Sequence, residues 1–166
     1  MALLPVLAMA APSFSGTWVQ DNAKSERVPD PMWLTRAQTG RGGGGGRAGG
    51  PGARGPGAEV LMTVQQDGNS LQVTEPNGSI RKYTLDGKPS TLGMETHMGK
   101  STVAASLQGD TLVIATTRPY GGMPGNVGLE IKELWSLSPD GKTLTVTTTQ
   151  SSPAAQKIYK QVYNRK

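Results

Sequence analysis

The chain has 166 residues, no cysteine, one histidine and a formal net charge of +5, which fits one domain and excludes a disulfide scaffold, thiol catalysis and thiolate metal sites. Three of the positive charges, Arg41, Arg47 and Arg54, sit in a glycine-rich segment. Setting them aside leaves about +2, too weak a field to mark a nucleic-acid-binding surface, and no stretch reaches the roughly 18 apolar residues of a membrane-spanning helix.

Residues 1–11 are apolar and close on Ala8-Met9-Ala10, the small-x-small pattern that signal peptidase reads. A basic leading segment is missing, so this stretch reads as the later part of a secretory signal and predicts a periplasmic or secreted protein. The folded domain is then expected over 12–166. Its first strand is 13–20, Ser-Phe-Ser-Gly-Thr-Trp-Val-Gln. Residues 21–38 are irregular, because Pro29 and Pro31 restrict any helix to a turn or two, and Trp33 and Leu34 are expected to pin the segment to the barrel. Between 40 and 57, eleven of eighteen residues are Gly and the rest are Arg, Ala and Pro. Such a composition buries too little apolar surface to offset its ordering entropy, which predicts a disordered Gly/Arg-rich loop over 39–58.

From residue 59 onward the pattern is one short strand after another, at 59–66, 70–75, 79–85, 91–97, 101–108, 110–117, 127–138, 142–150 and 156–164, making ten with the first. The turns carry Asp67-Gly68, Asp86-Gly87, Gly109-Asp110 and Asp140-Gly141, pairs that tolerate the positive φ of tight hairpins. The alternation is clearest in 127–138. Val127, Leu129, Ile131, Trp135 and Leu137 share one parity, against Gly128, Glu130, Lys132, Ser136 and Ser138 on the other. One buried and one solvated face is the mark of an antiparallel sheet. Glu133 breaks the apolar parity and Leu134 the polar one. A bulge accounts for both, as does a carboxylate pointing into a cavity; the frequency with which bulges re-aim side chains favours the first. Ten twisted strands approach the limit for an open sheet, and closure removes its edges. The predicted fold is therefore an all-β, antiparallel up-and-down barrel of about ten strands, with a two-sheet sandwich as the alternative.

Phe14-Ser15-Gly16-Thr17-Trp18, followed by Asp21 and Lys24-Ser25, resembles the Gly-x-Trp opening of the lipocalins and fatty-acid-binding proteins, the calycin-type β-barrels. Together with the Asp-Gly hairpins and Leu134 to Val146 (Leu-Trp-Ser-Leu-Ser-Pro-Asp-Gly-Lys-Thr-Leu-Thr-Val), it also resembles a family of small exported bacterial proteins of uncharacterised function, over residues 13–165. The resemblance implies a structural plug: Gly16 and Trp18 close one end of the barrel, with Trp18 beneath a basic side chain of the last strand, here Arg165. It also implies a ligand inside the barrel. The chain departs from fatty-acid-binding proteins in two places. The interval after the first strand is Pro- and Gly-rich and cannot form their helical lid. The last strand, Ile158 to Arg165, lacks their Arg-x-Tyr carboxylate anchor, although Tyr159, Tyr163 and Arg165 remain to build a different one.

No catalytic motif stands out. His97 is the only histidine, which leaves a zinc site short of ligands and a Ser-His-Asp triad without a nucleophile elbow; it reads as a surface residue. Glu95, Glu130 and Glu133 are the carboxylates available for acid–base work, and of these Glu133 would matter if it faced inward. The Gly-Arg segment lacks the aromatic residues of RNA-binding tracts and reads as a flexible loop. Residues 118–126 form a second long connection of the kind that lines a barrel mouth. No enzyme activity, cofactor, metal or nucleic-acid partner is expected. The leading reading is a barrel that holds a small hydrophobic or amphipathic ligand, with Val103, Ile114, Ile131, Glu133, Trp135, Tyr159 and Tyr163 as candidate ligand-binding residues. The alternative is a side-chain-filled barrel that contacts a protein or envelope partner through its loops. Strand parity separates the two: Thr102, Ala104, Ser106, Ala115, Thr145 and Thr147 leave the barrel hollow if they face inward, whereas Leu and Val fill it if those residues face outward.

Overall fold

The computed structural model describes residues 12–26, 60–76, 78–91, 100–119, 128–153 and 155–166. The proposed leader, Trp33 and Leu34, the Gly/Arg-rich segment, Glu95, His97, Val127 and most of the 118–126 connection lie outside these residues. The described residues contain ten strands and no helix: β1 Gly16–Gln20, β2 Leu61–Asp67, β3 Ser70–Thr74, β4 Ile80–Thr84, β5 Ser90–Thr91, β6 Thr102–Gln108, β7 Thr111–Pro119, β8 Gly128–Leu137, β9 Thr143–Ser151 and β10 Gln156–Arg165. They form one antiparallel sheet in the order β4-β3-β2-β1-β10-β9-β8-β7-β6-β5, so the up-and-down barrel is observed and the sandwich is not.

The register gives the barrel two unlike ends. The tight turns at 67–70, 108–111 and 138–143 all fall beside Gly16 and Arg165. The connections 21–60, 92–101, 120–127 and 152–155 all join strands at the opposite end, here termed the mouth. Gly68, Gly109 and Gly141 have φ of 52°, 60° and 67°, the left-handed backbone that the Gly in each of these turns supplies without a Cβ penalty. Asp86-Gly87 differs from the sequence expectation. It reverses the chain but makes no hairpin, because β4 pairs with β3 and β5 with β6. Asp86 instead bridges Ser106, and Gly87 donates its backbone N–H to the Ala105 carbonyl. These contacts bring the two ends of the sheet together and close the barrel.

The end away from the mouth is filled by a plug. Trp18 is fully buried, its indole Nε1 donates to the Phe14 carbonyl at 3.0 Å, and the Arg165 guanidinium lies 4.4 Å above its ring. Arg165 is fixed there by donating Nε to the Gly141 carbonyl and Nη1 to the Ser15 carbonyl. Gly16 has a φ of 145°, and a Cβ there would sit 2.8 Å from Arg165 Nη1; a side chain at this position would displace the cation from the ring. Above the plug, Phe14, Met62, Val64, Leu71, Val73, Leu112, Ile114, Leu144 and Val146 continue the core, with Phe14 meeting Trp135 edge-on at a ring distance of 6.4 Å.

Candidate functional site

Period-two geometry decides which side chains enter the barrel. On β8 the ladder is continuous on both sides: Ile114 stands opposite Glu133 on β7, and Thr148 opposite Glu133 on β9. Ile131, Glu133 and Trp135 therefore share the inner face, and Leu134 lies on the outer one. The bulge favoured from sequence is absent, since no residue of β8 drops out of the pairing. Glu133 is an inward carboxylate. Its presence is explained by partners the local pattern does not contain: Trp135 Nε1 donates to its Oε2 at 3.0 Å, and Arg81 Nη1 donates to its Oε1 at 3.1 Å.

Arg81 arrives from the far wall. On β4, Val73 faces Arg81 and Leu71 faces Tyr83, which places Arg81 and Tyr83 inside while Ile80 is left 50% exposed. The Arg81–Glu133 pair thus crosses the lumen between β4 and β8, strands that are not neighbours in the sheet. The second terminal nitrogen, Nη2, donates to Glu75 Oε1, a residue in the turn that follows β3 at the mouth, where Gly78 donates its N–H to the Glu75 carbonyl. Arg81 Nε is buried without a hydrogen-bond partner among the described residues. The side chains of Arg81, Glu75 and Glu133 are 25%, 28% and 15% exposed, a partly dehydrated setting in which charge pairs interact far more strongly than in bulk water.

Aromatic groups surround the triad. The guanidinium of Arg81 lies 5.8 Å from the Tyr83 ring centroid. Tyr83 and Tyr163 are both buried. Burial pushes both phenols far above the ordinary tyrosine range, the two nearby carboxylates add to the rise, and the Arg81 charge partly opposes it. Both hydroxyls therefore stay protonated and can donate or accept a hydrogen bond. Arg118, on the inner parity of β7 near the mouth, has its pKa lowered by burial and is drawn the other way by Tyr83.

Of the residues singled out from sequence, Glu133 and Trp135 are hydrogen-bonded to one another, with Ile114 paired to Glu133 across the ladder and Tyr163 within electrostatic reach of the same carboxylate. Val103 and Ile131 lie nearer the mouth, both opposite Thr116. Tyr159 is half-buried and pairs with Thr148. Arg81, Glu75, Tyr83 and Arg118 were not anticipated. The spacing of Arg81 and Tyr83 puts both on one face of a strand, and that was the available signal; the apolar Ile80 beside them pointed to the opposite parity. Among the described residues no group of three His, Cys, Asp or Glu side chains is arranged to hold a metal ion, and no helix is long and apolar enough to cross a membrane.

The inner wall is thus apolar from the plug up to Ile114 and Trp135, crossed by an ion-pair triad, and mixed from there to the mouth. No family model and no curated protein matches the chain. Among solved structures it is similar to the zebrafish ileal bile acid-binding protein complexed with cholic acid, at 18% identity over 92% of this chain and 98% of that one, with a TM-score of 0.48.

Proposed function

We propose that the barrel is an exported, non-catalytic binding protein for a small amphipathic ligand, taken up from the mouth. The observation that carries this reading is the inward triad Arg81–Glu75–Glu133, a polar group built into a barrel wall whose neighbours, Ile114, Ile131 and Val103, are apolar. Ligand sites combine mostly apolar walls with a few placed polar groups that fix orientation. The ligand's hydrocarbon part packs on Val103, Ile114, Ile131 and Trp135, and its polar end meets the triad and the hydroxyls of Tyr163 and Tyr159.

Trp135 reports on this directly. Its indole is hydrogen-bonded to Glu133, so a ligand engaging the triad is expected to alter its fluorescence. Titrating the full chain with a panel of single-chain amphiphiles, retinoids and sterols is expected to give saturable quenching with at least one class. Trp135→Phe should remove most of the signal, leaving that of Trp18 and Trp33. A flat response across the panel counts against a carrier and favours the second reading, a side-chain-filled barrel acting through its loops. That alternative has its own support. Val103, Ala105, Leu144, Val146 and Thr148 take the buried parity in β6 and β9, while Thr102, Ala104, Ser106, Thr145 and Thr147 take the other, so these five small residues are directed outward.

Export rests on Ala8-Met9-Ala10 at the end of the apolar opening. Expressed in a Gram-negative host with the opening placed behind a basic start, the protein is expected in the periplasmic fraction. Its intact mass should correspond to cleavage after Ala10. An uncleaved chain in the cytoplasm overturns that assignment.

A further inference from the structure

We propose that the Glu75–Arg81–Glu133 triad selects the ligand's head group by charge, admitting a cationic or uncharged polar end and turning away a carboxylate. The inference deepens the amphiphile-binding reading and rests on it. An anion entering a barrel is ordinarily held by a guanidinium with free terminal nitrogens, since the planar fork matches a carboxylate through two parallel hydrogen bonds. In Arg81 both terminal nitrogens are already bonded to carboxylates. Nη1 gives one of its two N–H groups to Glu133 and Nη2 one of its two to Glu75, and the buried Nε–H has no partner among the described residues.

The charge count leads to the same result. One guanidinium against two carboxylates leaves the triad one net negative charge, and the hydroxyls of Tyr83 and Tyr163 contribute none. Among the described residues Arg118 also lies on the inner parity towards the mouth, and the charged or ionisable group it interacts with is Tyr83 rather than either carboxylate of the triad. A carboxylate placed against the triad would share Arg81 with the two carboxylates already bonded to it and meet their repulsion. An ammonium gains from the excess negative charge, and an amide or hydroxyl hydrogen-bonds to a remaining terminal N–H of Arg81 or to a tyrosine hydroxyl without disturbing the pairs. At separations of about 5 Å in a partly dehydrated site, one unit charge changes affinity by a factor of 10 or more.

Dodecylammonium, dodecanamide and dodecanoate, each used below its micelle concentration, share one tail and differ in the head. Titrated by tryptophan quenching against the full chain, the ammonium and the amide are expected to bind at least about 10-fold more tightly than the carboxylate. Glu75→Gln removes one negative charge from the most exposed member of the triad and should narrow that gap about 10-fold. Glu133→Gln should do the same, and if it fails to fold then Glu75→Gln carries the test alone. Dodecanoate binding as tightly as dodecanamide, or a gap that Glu75→Gln leaves unchanged, overturns the charge selection while the amphiphile-binding reading stands. Saturation by none of the three amphiphiles, nor by any member of the wider panel, overturns both.

Discussion

Arg81→Met is expected to lower stability by about 3 kcal/mol, at the low end of what removing one partner of a buried ion pair costs. The loss comes less from the missing attraction than from what is left behind. Glu75 and Glu133 would face each other across the lumen, 28% and 15% exposed, with no cation between them. Equilibrium urea unfolding should show a lower midpoint at an unchanged m-value, as expected for a change in native-state energetics alone. Adding Glu75→Gln and Glu133→Gln to Arg81→Met should recover most of the loss, since the uncompensated charges are then gone. The non-additivity of the set measures the triad's coupling. A loss below about 1 kcal/mol for Arg81→Met would place the triad among solvent-screened surface pairs and remove the main support for a built polar site.

The second large effect is at the plug. Trp18→Ala is expected to cost about 3–5 kcal/mol, the range for truncating a fully buried aromatic side chain. Trp18 is 0% exposed and packs at the point where β1 meets both β2 and β10. Arg165→Met should cost less, about 1–2 kcal/mol, through the lost cation–π contact and the hydrogen bonds to Ser15 and Gly141. Once Trp18 is gone, Arg165 has no ring to cover, so the double variant should fall short of the sum of the two. Thermal or urea unfolding of the four proteins measures this. Strict additivity would mean that the stacked geometry contributes nothing to the fold.

Much of this arrangement was legible in the residues. The alternation from Leu129 to Leu137 located β8 and its buried face, and the Gly in three Asp/Gly turns took the positive φ that their hairpins require. What escaped were features decided by partners far away in the chain. Ile80 is the apolar residue of its pair, yet it is exposed while Arg81 points inward. Tyr83 and Leu85 set the parity of that segment, and Arg81 is stabilised by Glu133, 52 residues away. Glu133 misled for the same reason. Periodicity ranks residues by hydrophobicity, so an inward charge looks like a defect until the opposing strand supplies its counter-ion. Asp86-Gly87 was legible as a reversal but not as the seam, because a local turn signal is silent about which strands the flanking segments choose.

The neighbours of β1 constrain when this barrel can be completed. Strands β2 to β4 and β6 to β10 are meanders that assemble from neighbours in sequence, but β1 lies between β2 and β10, so the first strand and the last must find each other. The cation over Trp18 comes from Arg165, at the end of β10. While the chain emerges from a ribosome, β1 cannot acquire its second partner until β10 has been made, and non-local pairings of this kind are slow to form. A nascent chain of this sequence therefore remains an unsealed set of hairpins until β10 is released. A chain that lacks β10 is left with β1 unpaired on one side along its length.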